Sequence, residues 1–145
     1  FLFAAGIAVF GFFVFRGKSS ETVVSSEPSV VIGRARFSLE IVRTPAEHER
    51  GLGFRDALCA ECGMLFPFDH PDRYAFWMRG MRFPLDILWI RNGTIVFIER
   101  NVSAADQARV YRPNEPADMV LELNAGRCDA EGIREGDRVV FSNIK

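Results

Sequence analysis

The chain has almost no net charge, few cysteines and none of the marked motifs of the commonest enzyme classes. Its 18 basic and 19 acidic residues leave a formal charge of -1. It therefore lacks the basic field needed to track a phosphate backbone, and nucleic acid is not an expected partner. The sequence contains no G-x-S-x-G, H-E-x-x-H, phosphate loop or dinucleotide fingerprint, which counts against the well-marked hydrolase, zinc-protease and nucleotide-binding classes. Internal repeats are absent and no cofactor is implied. With three cysteines there is no second CxxC to complete a four-cysteine metal site. A length of 145 residues with 48% hydrophobic residues fits one compact domain plus an appendage.

What is present is concentrated in residues 63–90, GMLFPFDHPDRYAFWMRGMRFPLDILWI, where both Trp and two Phe-Pro breaks surround a few isolated charges. Apolar and polar residues alternate over short runs there, and Pro, Gly and Asp interrupt any helical period. That pattern predicts consecutive short strands in a β-rich core.

Before that core the composition changes twice. Phe1 to Phe15 is apolar and uncharged. As a helix it would be about 22 Å long, and a few upstream residues would complete a membrane span; the chain opens on Phe1, which suggests that such residues precede it. Residues 1–18 are therefore expected to be a hydrophobic membrane anchor or signal segment. The lack of a small-x-small cleavage site after the apolar run favours an uncleaved anchor. Arg16 and Lys18 alone leave its orientation open. Residues 19–29 are Ser-rich and polar, the composition of a flexible linker. The folded domain is expected over residues 30–145.

Within that domain, Phe37, Leu39 and Ile41 alternate with polar neighbours as a half-buried strand does. Thr44-Pro45-Ala46-Glu47 is a capping box with Pro at the first helical position, predicting a short helix to about Leu52. Strands are predicted at 64–66, 74–78 and 85–90, the last with Leu85, Ile87 and Trp89 on one face and Asp86, Leu88 and Ile90 on the other. Asn92-Gly93 then joins it to a strand over 94–99 as a hairpin. Residues 100–119 read as a long surface connection. A strand at 120–123, a turn, one helical turn near 129–133 and a final strand at 138–141 complete the chain.

Laid out in this way, the sequence resembles the bacterial and archaeal family known as domain of unknown function 192. The resemblance is carried by GLGFRDAL at 51–58, GMLFPF at 63–68, AFWMRGMRFPLDILWI at 75–90, VLELNAG at 120–126 and GIREGDRV at 132–139. The family pattern usually has Met where Gly53 stands and Asn-Thr where Gly80-Met81 stand. The second departure removes two hydrogen-bonding side chains beside the Phe-Trp-Met element. The resemblance implies a mainly β sandwich or barrel-like domain with one or two short helices, often secreted or membrane-tethered, and no agreed activity.

Several residues could carry chemistry. Cys59 and Cys62 form a CxxC and Cys128 stands apart. With His70 or His48 these three could make a zinc site, whereas outside the cytoplasm a structural disulfide between two of them is expected, the pairing left open. Asp86, in an apolar strand near Arg79 and Arg82, is either structurally paired or a ligand-orienting carboxylate beside Trp77. Glu122 could share its face and supply a second carboxylate for acid–base work, with His70 as a further base. Phe76, Trp77 and Trp89 either pack the core or stack on a flat ligand such as a sugar. The leading expectation is a membrane-tethered, extracytoplasmic binding or accessory module of the cell envelope, with Trp77, Arg79 and Asp86 at its ligand site. A small hydrolase or other enzyme using Asp86 and Glu122, and a zinc-stabilised interaction domain, are the alternatives.

Overall fold

The computed structural model describes residues 26–145. The apolar segment and residues 19–25 of the Ser-rich linker lie outside the described residues, so the expected anchor does too.

The described chain runs through β1 (Ser29–Ile32), β2 (Ala35–Ile41), α1 (Pro45–Arg50), β3 (Cys62–Asp72), β4 (Phe76–Trp77), β5 (Leu85–Arg91), β6 (Thr94–Val102), β7 (Val110–Tyr111), β8 (Ala117–Asn124), α2 (Arg127–Ala130) and β9 (Val139–Ser142). Seven strands form one sheet in the order β6-β5-β8-β3-β2-β1-β9, and β4 and β7 make a separate two-stranded ribbon. Among the described residues only β2 and β3 are parallel; α1 and the residues up to Glu61 make the crossover that a parallel pair needs. The large sheet curls into a half-barrel, so the barrel-like expectation holds over the sandwich: the only other sheet among the described residues is the ribbon. The curl brings the sheet's two ends together. Thr94 bridges Arg138, and Ile95 N–H donates to Asp137 O, Gly136 N–H to Ile95 O and Val139 N–H to Gly93 O.

Strand alternation divides the core in two. On one face Val30, Phe37, Leu39, Leu65, Leu88, Ile90, Leu121 and Leu123 pack with Cys128 and Ile133. On the other, Met64, Phe66, Leu85, Ile87, Trp89 and Val120 pack with Leu52, Met78 and Tyr111. The face assignment read from the β5 sequence is thus correct, and both faces of β5 are buried. The Asn92-Gly93 hairpin also forms, with φ of 49° and 69° and Arg91 opposite Thr94, as a two-residue turn with two positive φ angles requires.

The capping box forms as well. Thr44 Oγ1 accepts from Glu47 N–H, and Glu47 Oε2 accepts from the backbone N–H groups of Thr44 and Arg43. Thr44→Ala is expected to cost about 1 kcal/mol, checked by urea unfolding, because a helix this short has few other means of satisfying its first N–H groups.

Three expectations need correction. Residues 74–78 contribute only the Phe76–Trp77 pair, bonded to Tyr111 and Val110, because residues 73–75 leave β3 without a ladder partner. His70 lies within the span of β3 rather than in a loop; register with β8 breaks between Pro67 and Asp72, as expected for a strand that carries prolines. The stretch 100–119 is not one connection. It holds the end of β6, all of β7 and the start of β8, pieces too short for periodicity to reveal.

Candidate functional site

Glu122 is the residue on which the site turns. It lies in β8 opposite Met64 of β3 and Ile87 of β5, so both of its neighbours across the ladder are apolar. Its residue exposure is 5%, and its Oε2 is buried with no hydrogen-bond partner. Burial pushes its carboxyl from the ordinary 4.5 up to about 8, so at neutral pH the group carries its proton.

Around it is a cavity of about 200 Å³ lined by the rings of Phe66, Phe68, Tyr74, Phe76 and Trp77, by His48, Glu49 and Arg50 of α1, and by Arg79. The rings brace one another: Phe66 meets Phe76 edge-on at 5.0 Å and Phe68 stacks on Tyr74 at 3.5 Å. Tyr74 Oη is committed to His70 O. His48 packs edge-on against Phe66 at 5.7 Å, and its pKa is lowered, chiefly by burial against a smaller opposing effect of Glu47. Trp77 is 37% exposed and carries the Arg79 guanidinium 5.2 Å from its ring centre.

Beside the cavity, Phe54 N–H donates to Gly80 O with Phe54 at φ 65°. Gly80, at φ 72°, lies under the Phe54 ring, where an added Cβ would sit 2.9 Å from it. The Phe54 ring thus covers the Gly80 backbone and leaves no room for a side chain there.

Asp86 and Glu122 do not form a carboxylate pair. Asp86 is opposite Leu123, whereas Glu122 is opposite Ile87, which puts the two acids on opposite faces of the sheet. Asp86 is buried, and its oxygens accept from Asn101 N–H and Cys128 N–H at 2.8 Å each. It ties the end of β6 to the first turn of α2, the kind of bonding the structural reading of Asp86 expects, and it does not line the cavity with Trp77 and Arg79. His70 is exposed and outside the cavity lining. Trp89 is fully buried, with its indole N–H on Tyr74 O, so it is core and not platform. The sequence reading named His48 only as a possible zinc ligand and placed neither it nor Glu49, Arg50 or Tyr74 at this site; α1 has no buried face to orient its side chains.

Cys59 and Cys62 are joined in a disulfide on the turn that leads into β3, clamped by Asn124 Nδ2, which donates to the carbonyls of Leu58 and Cys59. Cys128 is a buried free thiol whose pKa is raised by burial and by Asp86. The zinc alternative loses two of its three thiols to the disulfide, and no group of three metal-ligating side chains occurs among the described residues.

A curled, mainly β sheet with an aromatic-walled cavity over a buried carboxyl defines a small β domain with a recess on one face. The chain belongs to the domain of unknown function 192 family, whose model, described as "Uncharacterized ACR", matches residues 29–141. It is similar to a crystal structure of a protein of unknown function from Novosphingobium aromaticivorans, with TM-score 0.73 and 36% identity over 77% of this chain and 83% of that one. It is also similar to a Sinorhizobium meliloti protein provisionally named a transcription regulator, with TM-score 0.75 and 32% identity over 83% and 98% of the two chains. No curated protein matches.

Proposed function

We propose that the chain is a membrane-tethered, extracytoplasmic binding module whose small-molecule ligand seats in the aromatic cavity over Glu122. The observation that carries this reading is a recess walled by five rings around a carboxyl that the protein itself leaves without a partner. Apolar walls with one oriented polar group are the usual make-up of a small-ligand site. The uncharged Phe1–Phe15 segment supports the tether, and the Cys59–Cys62 disulfide suits an oxidising compartment. Of the expected ligand residues, Trp77 and Arg79 stay and Asp86 gives way to Glu122. The name of the Sinorhizobium relative describes that protein; the balanced charge of this chain does not favour a nucleic-acid partner.

Screening the whole chain against a panel of small sugars, amino acids, amines and organic acids should yield a ligand that raises its unfolding midpoint. Trp77→Ala should weaken that ligand about tenfold or more while changing the unliganded stability by under ~1 kcal/mol, since the ring stands at the rim. No ligand from any class, or a ligand indifferent to Trp77, would count against the cavity as the site.

A second reading is supported by the same carboxyl. A protonated Glu122 near neutral pH is poised as a general acid, and His48 in the same cavity, rather than Asp86 or His70, would be its partner. Turnover of the bound ligand, lost in Glu122→Gln, would separate this enzyme from a binding module.

A further inference from the structure

The cavity interior offers a ligand an unusual balance of groups. Its walls are aromatic, and the only polar side chains that reach it from buried or half-buried positions without a bond of their own are Glu122 and His48. Tyr74 has spent its hydroxyl on His70 O. A sugar, with several hydroxyls to satisfy, would leave most of them facing ring carbons, which costs free energy for each unpaired group. Ring faces, by contrast, carry negative electrostatic potential and attract cations. One wall already shows this, because the Trp77 face holds the Arg79 guanidinium.

We propose that the ligand of this cavity is a small organic ammonium ion, seated with its nitrogen beside the unpartnered Glu122 carboxyl and its carbon substituents against the aromatic rings. This inference rests on the binding reading above and names the chemistry of the ligand. Met64 and Ile87 flank Glu122 across the ladder, so the protein supplies no countercharge there, and a bound cation completes the pair. The available volume, about 200 Å³, suits such a molecule, since an apolar cavity of roughly 150 Å³ accepts benzene.

Binding has a proton cost that fixes its pH dependence. The free carboxyl is protonated until about pH 8, and the ammonium needs it ionised, so one proton leaves as the ligand enters. The charged and titratable groups facing the cavity are His48, Glu49, Arg50, Tyr74 and Arg79. Burial alone, and none of these, raises the Glu122 carboxyl. Arg50 and Arg79 are exposed at the mouth, where salt screens their repulsion of an incoming cation.

The test compares choline and tetramethylammonium with 3,3-dimethylbutanol, the uncharged carbon isostere of choline, and with glucose, by calorimetry on the whole chain. An ammonium ion should bind at least about tenfold tighter than the isostere. Its affinity should rise roughly tenfold per pH unit below about pH 8 and level off above it, with proton release seen as a buffer-dependent heat. Glu122→Gln, which keeps the shape, should abolish the pH dependence and cut the preference to what the ring faces alone supply. Equal binding of choline and its isostere, or a preference for glucose, overturns the ammonium assignment and leaves the cavity a binding site. Failure of both ammonium ions also overturns it, while the broader panel and Trp77→Ala decide separately whether the cavity binds anything.

Discussion

Glu122→Gln is expected to raise the unfolding midpoint by about 10 °C or more above pH 8 and to change it little near pH 5. The sign follows from where the proton sits. In the folded chain the carboxyl titrates near 8 against an ordinary 4.5, so between those values the native state holds a proton that the unfolded state has lost. Stability contributed by the neutral carboxyl is therefore complete below about pH 4.5, declines as pH rises, and is exhausted above about 8. Ionising an unpartnered buried acid across that span costs on the order of 3 to 5 kcal/mol. Glutamine keeps the volume and cannot ionise, so the variant should lack this part of the decline. Thermal unfolding of both proteins across pH decides the matter. Parallel profiles would mean that Glu122 is hydrated or paired in solution, and the cavity argument would fall with it.

Asp86→Ala should be the most damaging single change among the candidate residues, lowering stability by about 4 kcal/mol. Two charge-assisted bonds to backbone N–H groups are lost, each worth roughly 1.5 to 3 kcal/mol, and the buried Cys128 N–H is orphaned. Because Asp86 and Glu122 face opposite sides of the sheet, ligand affinity measured on the folded fraction at low temperature should stay within about threefold of the parent. A loss of under ~1 kcal/mol in urea unfolding would refute the anchoring role, and a large loss of affinity would bring Asp86 back to the site.

These two acids also show how far the sequence could be read. The alternation along β5 and the Asn-Gly turn were legible because they depend on residues adjacent in the chain, and so was the Thr44–Glu47 cap. That Glu122 faces away from Asp86 depends on the register between β5 and β8, which join residues far apart in sequence; a one-residue slip would have put both on one face. β1, β4 and β7 are two to four residues long and exist because a partner strand is there, so no local period announces them. His48 reaches the cavity only through the packing of α1 on Phe66 and Phe68, and the Cys59–Cys62 pairing was one of several that the spacing allowed. The aromatic content of residues 63–90 pointed to the right region, but core and platform separate only with burial: Trp89 is 0% exposed and Trp77 37%.

The meeting of β6 with the chain just before β9 bears on how crowded copies of this domain meet one another. An open half-barrel ends in two rows of unspent backbone groups, each a template onto which a neighbouring copy could add a strand. Here the hydrogen bonds that link 93–95 with 136–139 occupy the start of one such row with the other end of the same sheet. Crowded copies are thereby denied part of the surface on which runaway strand stacking would begin, at the cost of a few turn residues.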